Sequence, residues 1–124
     1  MNQRLRSKIQ ATEMKYLRRV EGVTRIDRIR NEEIRRRLET ESIQKTIEKK
    51  QLAWYGHMIR MPDDRQTKII WNARGTKKNR KGRPQKTWEN NIEEILKRNN
   101  MSWQEARKRA INRKTWKELI NAIE

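Results

Sequence analysis

A helical pattern runs through residues 42–62, which read SIQKTIEKKQLAWYGHMIRMP. Apolar side chains recur there at the spacing of three to four residues that brings them onto one face of a helix. Ser42 precedes this pattern, and Pro62 ends it because proline cannot continue a helix. We therefore predict a helix with a single apolar stripe, formed by Ile43, Ile47, Trp54, Met58 and Met61.

Upstream of this stretch, the chain predicts three more helical segments. The first covers residues 3–21, and Gly22 stands where a C-terminal cap is expected. Thr24 together with Asp27 can cap a short second helix, and Asn31 can cap a third.

Downstream, three further segments have helical spacing. We expect the first of them to bury some combination of Ile69, Ile70 and Trp71, and the last to break near Asn112. Their N-terminal signals are Asp63 with Asp64, then Thr87, then Ser102.

These segments predict an all-α fold, a small assembly of about 5–7 helices with a basic, irregular central loop. No segment alternates for long with the period of a strand. The predicted division is an N-terminal helical part over residues 1–73, a basic loop or tether over 74–87, and a C-terminal helical part over 88–124.

The composition is strongly basic, since 33 Lys and Arg residues against 16 Asp and Glu give a net charge of +17. The expected partner is therefore a polyanion, RNA or DNA. The absence of cysteine excludes a disulfide framework, a thiol nucleophile and a zinc ribbon. No apolar run approaches the roughly 18 residues that span a bilayer, and no secretory signal is recognisable. We expect an intracellular protein, nuclear or cytoplasmic, without a membrane partner; the oligomeric state stays open.

Much of the excess charge is concentrated between Arg65 and Trp88, a window with nine Lys and Arg residues and no acidic residue. Such a run can replace counterions along a nucleic-acid backbone, and about six phosphate contacts would give a log–log salt slope of about −5 on duplex DNA. Gly82-Arg83-Pro84 is also similar to the centre of an AT-hook, which places its arginine in a narrow minor groove. The predicted nucleic-acid-binding residues are Arg74, Lys77, Lys78, Arg80, Lys81, Arg83 and Lys86, together with Arg60 and Arg65.

The five tryptophans all lie within the apolar stripes. We interpret them mainly as core residues, because an indole buries a large apolar area. Trp71 and Trp88 bracket the basic window and are the candidates for the other role, stacking on bases.

The sequence offers little catalytic chemistry. Asp63 and Asp64 can hold magnesium in principle, but Asp27 is the only other aspartate, and the pair also suits the start of a helix. His57 is the only histidine, so it lacks a partner for a zinc site. We therefore predict no enzyme activity, no catalytic or metal-ligating residue, no cofactor and no small-molecule substrate.

Five sequence blocks occur in order along the chain: EMKYLRRV at 13–20, GVTRIDRIRNE at 22–32, LAWYGHMIRMPDDR at 52–65, GRPQKTW at 82–88 and RKTW at 113–116. Their residues and spacing resemble the region downstream of the polymerase domain in LINE-type (non-LTR) retrotransposon endonuclease/reverse transcriptase proteins. The resemblance covers nearly the whole chain.

The family proteins nick target DNA and copy element RNA from the nick. Their catalytic carboxylates lie in parts that this chain does not contain, so the resemblance implies a narrower role, holding template RNA or target DNA near the polymerase. The positions that match the family are Trp54, Gly56, His57, Arg60, Arg65, Gly82, Arg83, Pro84 and Trp88.

Three other interpretations stay open. The chain can be a helical protein-interaction module whose basic loop acts as a nuclear-import signal. It can also be a retroelement relic with no selected function. Residual nuclease or polymerase activity through Asp63, Asp64 and magnesium is the weakest of the three.

Overall fold

The computed structural model describes residues 3–73, 82 and 86–123. These residues form seven helices and no strand, which confirms the predicted all-α fold class. The basic loop predicted between residues 74 and 87 lies almost entirely outside the described residues. The helices are α1 (Gln3–Glu21), α2 (Asn31–Arg37), α3 (Ile43–Arg60), α4 (Gln66–Asn72), α5 (Trp88–Arg98), α6 (Trp103–Ile111) and α7 (Arg113–Ala122).

The predicted starts of α5 and α6 are confirmed by their capping hydrogen bonds. The Thr87 hydroxyl accepts from the backbone N–H of Asn90 at 3.3 Å, and Asn90 Oδ1 accepts in return from the Thr87 N–H at 2.9 Å. The Ser102 hydroxyl accepts from the backbone N–H three residues on, at 3.2 Å. Asn112 Oδ1 accepts from two backbone amides of α7, so the predicted break near this residue is the start of a new helix. Each cap satisfies a donor that the helix itself leaves unpaired.

Two predictions for the segment between α1 and α2 are wrong. Asp27 Oδ2 accepts from the backbone N–H of Thr24 at 2.6 Å and from its hydroxyl at 3.0 Å, and the result is a turn rather than a capped helix. Asn31 does not cap α2, because its Oδ1 accepts from Arg18 Nη2 at 2.8 Å. Gly22 does end α1 in the left-handed conformation that glycine adopts without strain, with φ +73°.

The chain divides into two compact units, Met1–Glu48 and Lys49–Glu124, and the division falls within α3. The sequence instead predicts a boundary within residues 74–87. Aromatic contacts explain the difference, because the Tyr55 ring of α3 belongs to the same core as the helices beyond that boundary. Its centroid lies 5.7 Å from the ring centroid of Trp103 in α6 and 5.8 Å from that of Trp116 in α7.

The first unit has a small apolar core. Met14 and Leu17 of α1 and Ile34 of α2 are buried in it. Three partly buried side chains pack against them, namely Val23, Ile29 and Leu38. Few buried apolar groups mean that polar contacts contribute a large share of this unit's stability.

One carboxylate joins three elements of the first unit. Glu13 Oε2 of α1 lies 2.9 Å from Arg35 Nη2 of α2, and the two side chains are 8% and 13% exposed. Glu13 Oε1 also accepts from the backbone N–H of Ile43, the first residue of α3, at 2.9 Å. A carboxylate is favoured at this end of a helix, where unpaired N–H groups carry partial positive charge. Glu13 therefore caps α3 from a distant point in the sequence.

The second unit has the larger core, with Trp116 of α7 at its centre. The indole is 2% exposed, and its Nε1 donates to the Leu52 carbonyl oxygen of α3 at 2.8 Å. Gly56 lies beneath the ring, so α3 and α7 approach each other closely. The other buried members of this core are Tyr55, Met58, Ile59, Ile92, Ile95, Leu96, Ala106, Ala110, Ile120 and Ile123.

The structure corrects the predicted buried faces of α3 and α4. Trp54 was predicted in the stripe of α3, but it is 49% exposed, because the buried face is centred on Leu52 and Tyr55. In α4, Ile69 and Ile70 are exposed, and only Trp71 packs against the core.

Candidate nucleic-acid interface

Most of the predicted binding residues cannot be placed. Six of them lie outside the described residues: Arg74, Lys77, Lys78, Arg80, Lys81 and Arg83. The remaining three, Arg60, Arg65 and Lys86, belong to the second unit.

Two cations of residues 65–88, the acid-free window, already bind groups of the protein itself. Lys86 Nζ lies 2.7 Å from Glu94 Oε1 of α5. Lys68 is buried, and its ammonium donates to the carbonyl oxygens of Ile59 and Met61, where α3 ends. A cation at this position is stabilised by the partial negative charge of a helix C-terminus. Lys68 therefore supports the fold and is not available to a phosphate.

Arg60 lies beside a second cation. Its Nη1 donates to the Ala110 carbonyl oxygen of α6 at 2.6 Å. Burial, and in second place the charge of Arg113, lower the pKa of the Arg60 guanidinium. Arg65, by contrast, is exposed at the N-cap of α4. Arg60 thus holds α3 to α6 and adds its charge to a region that is already positive.

The two candidate stacking residues contact each other. The ring centroids of Trp71 and Trp88 are 5.7 Å apart in an edge-to-face arrangement. Both side chains are partly buried and pack against the core of the second unit. This arrangement favours the interpretation as core residues, and stacking on bases stays a prediction. Trp54 has more open surface, and its ring centroid lies 5.3 Å from that of the exposed His57.

A second cluster of cations, which sequence reasoning missed, flanks the bend between α6 and α7. Residues 106–117 contain six Lys and Arg residues and no acidic residue. All six are exposed, and we call them the α6–α7 cation cluster. Its members are Arg107, Lys108, Arg109, Arg113, Lys114 and Lys117.

Amphipathic spacing explains why this cluster faces solvent. Ala106, Ala110 and Trp116 take the buried positions of α6 and α7, which leaves the positions between them outside. Within the described part of the chain, only Arg109 pairs with a carboxylate, that of Glu105. The signal for this cluster in the sequence is the run of six Lys and Arg residues without an acidic residue, shorter than the acid-free run of residues 65–88.

The candidate catalytic groups are not brought together. The Asp63 side chain is 91% exposed, and its Oδ1 lies 3.8 Å from Lys68 Nζ, so its nearest charged partner is a lysine. Over residues 3–73 and 86–123, no three His, Asp or Glu side chains are grouped as a metal site would require. Among the helices in that same part of the chain, none is both long enough and apolar enough to cross a membrane.

Comparison of the chain with protein-family models, with curated proteins and with solved structures found no match.

Proposed function

We propose that this protein is a nucleic-acid-binding module without catalytic activity of its own, corresponding to the region that follows the polymerase domain in LINE-type retrotransposon proteins. The proposal is carried by one observation above all: five exposed cations of the α6–α7 cation cluster have no carboxylate partner in the described residues. The predicted basic segment between α4 and α5 adds further positive charge to the same unit.

The chemistry of such a surface is phosphate binding. Exposed Lys and Arg side chains displace the counterions condensed on a nucleic-acid backbone, and the released ions supply most of the binding free energy at low salt. Contacts of this kind position a protein without reading sequence. The family resemblance adds the expected ligand, which is template RNA or target DNA held for a neighbouring polymerase.

The proposal predicts that cations without a carboxylate partner contribute more to nucleic-acid affinity than cations that are already paired. The variant Arg107→Gln/Lys108→Gln/Lys114→Gln should weaken binding to a labelled RNA or DNA strand by about tenfold or more at low salt, and the salt slope on duplex DNA should become shallower by about 2–3. Fluorescence anisotropy with RNA, single-stranded DNA and duplex DNA measures both quantities.

The matched control is Arg36→Gln/Arg37→Gln/Lys97→Gln. It removes the same number of cations, but each of these pairs with a glutamate, Glu33 or Glu93. We expect a much smaller loss of affinity from the control. Equal losses from both triple variants would mean that only net charge matters and would contradict an interface at the α6–α7 bend.

The predicted basic segment is tested separately by changing Lys77, Lys78, Arg80 and Arg83 to alanine. Binding that survives this change unaltered would remove the segment from the interface and leave the α6–α7 cation cluster as its centre.

A further inference from the structure

The first unit contains a groove that the proposed function does not use. It lies between one face of α1 and the segment that leads into α2, and its volume is ≈ 760 Å³. Volumes of about 300–1,000 Å³ are typical of small-molecule sites. The α1 residues that line it recur every three to four positions, from Ser7 to Arg19, so one continuous helix face forms a wall.

The lining of the groove is positively charged. It includes Lys15, Arg18, Arg19 and Arg25, and no Asp or Glu. None of these four forms a salt bridge with a carboxylate in the described part of the first unit. Two acidic residues close to these cations in the sequence are already engaged elsewhere: the Asp27 carboxylate is hydrogen-bonded to Thr24, and Glu21 pairs with Arg37.

The arginines of α2 show the opposite arrangement. Arg35 pairs with Glu13, while Arg36 and Arg37 share Glu33. Hydrogen bonds from the latter two lower the pKa of the Glu33 carboxyl to about 2. Carboxylates are therefore present within the first unit, but none of them lines the groove.

Arg18 is held in place by neutral groups only. Its Nη2 donates to the Ile29 carbonyl oxygen at 3.1 Å and to Asn31 Oδ1 at 2.8 Å, and its buried Nε has no hydrogen-bond partner in the described residues. A partly buried guanidinium normally acquires a counter-charge, because desolvating a lone cation is costly. The dipole at the end of α1 favours Arg18 and Arg19, but it does not account for Lys15 or Arg25, which lie outside the last turn.

The groove also has apolar walls. Ala11, which is exposed, and Val23, which is partly buried, contribute apolar surface to the lining beside the cations. A fixed guanidinium matches the geometry of a phosphate, and an apolar surface next to it can receive the flat face of a base. We infer that this groove binds the phosphate of a nucleotide, either free or at the 5′ end of a strand. The inference does not rest on the proposed function, because all its residues belong to the first unit.

The test is an amide-resolved NMR titration of the full chain at constant ionic strength. The probes are adenosine 5′-monophosphate against adenosine, and a 5′-phosphorylated oligonucleotide against the same strand with a 5′-hydroxyl. We expect saturable shifts at the amides of residues 14–25 and 29–31 with a phosphorylated probe and none with its unphosphorylated partner. A shift with the nucleotide alone identifies a free nucleotide as ligand, and a shift with the strand identifies a strand end.

Substitution of Arg18 would also remove the bonds that hold Ile29 and Asn31, so the exposed cations are changed instead. Lys15→Gln/Arg19→Gln/Arg25→Gln should weaken the saturable binding by about tenfold or more, since each removes a charge that faces the phosphate. The variant Arg36→Gln/Arg37→Gln/Lys97→Gln, with the same net charge, should leave it nearly unchanged. The inference is overturned if no phosphorylated probe shifts these amides beyond its partner, or if both triple variants weaken binding equally.

Discussion

Replacing Gly56 by alanine is expected to destabilise the second unit by about 3 kcal/mol, at the upper end of what overpacking a core costs. A Cβ at this position would lie 2.3 Å from both Cδ1 and Nε1 of Trp116. The indole has no room to move away, because it is buried and its Nε1 is bound to the Leu52 carbonyl oxygen. Alanine is favoured over glycine inside a helix by about 1 kcal/mol. The variant is therefore less stable only if the steric clash with Trp116 costs more than this gain.

Urea denaturation followed by tryptophan fluorescence measures this effect, since all five tryptophans belong to the second unit. Two controls separate the clash from other causes. Ala53→Gly, at an exposed position of the same helix, should cost only about 1 kcal/mol. In a Trp116→Leu background, Gly56→Ala should become neutral or stabilising. A stabilising Gly56→Ala in the natural sequence would show that α3 and α7 do not pack as described.

In the first unit, the largest effect is expected from Glu13→Ala. Removing one partner of a buried ion pair costs about 3–5 kcal/mol, because the other charge stays buried without compensation. Because the Arg35 side chain keeps 13% of its surface exposed, we expect the lower end of that range. Here the change also removes the cap on the first N–H of α3. Since the apolar core of this unit is small, we expect the variant to lose most of the structure of α1 and α2. Hydrogen exchange at the amides of Met14, Leu17 and Ile34 measures the loss.

Glu33→Ala is the matched control. Glu33 also pairs with two arginines, but its partners Arg36 and Arg37 lie at the surface, where such pairs contribute little. Exchange in this control should stay close to that of the natural sequence. If Glu13→Ala exchanged no faster than Glu33→Ala, the carboxylate would not hold the first unit together.

The sequence predicted best what is encoded within a few residues. The predicted caps at Thr87 and Ser102 each join a side chain to a backbone amide three residues away, so their pattern is visible in the sequence. The cap that Glu13 supplies to Ile43 joins residues 30 positions apart, and no local pattern reports it. The hydrogen bond from Arg18 to Asn31 also joins residues far apart in the sequence, so no local pattern shows that Asn31 binds Arg18 instead of capping a helix.

The buried face of α3 differs from the predicted one for another reason. Trp54 and Tyr55 are adjacent, as are Met58 and Ile59, so apolar residues follow two neighbouring faces of the helix and periodicity alone does not choose between them. The close approach of Trp116 makes the choice, because only the face that carries Gly56 has room for its ring. Two blocks of the family resemblance, LAWYGHM and RKTW, therefore meet in the core, which gives Gly56 and Trp116 a folding role.

The sequence predicted the positive charge of the candidate interface better than it predicted which residues form it. A net charge of +17 predicts a polyanionic partner, and the exposed cations among the described residues of the second unit support the proposal that this partner is a nucleic acid. The charge count did not reveal which cations are already paired, because pairing depends on neighbours in space. Lys68 and Lys86 counted toward the acid-free window, yet one caps a helix and the other contacts Glu94. The α6–α7 cation cluster, with a smaller count, has more unpaired charge among the described residues.

The salt dependence of nucleic-acid binding by the natural chain tests the central claim most directly. Affinity for duplex DNA and for RNA should be measured across a range of about 50–200 mM salt, with log affinity plotted against log salt concentration. Electrostatic binding through about six phosphate contacts predicts a straight line with a slope of about −5 on duplex DNA. A slope near zero, or no binding at the lowest salt, would contradict the claim that these cations meet a nucleic-acid backbone.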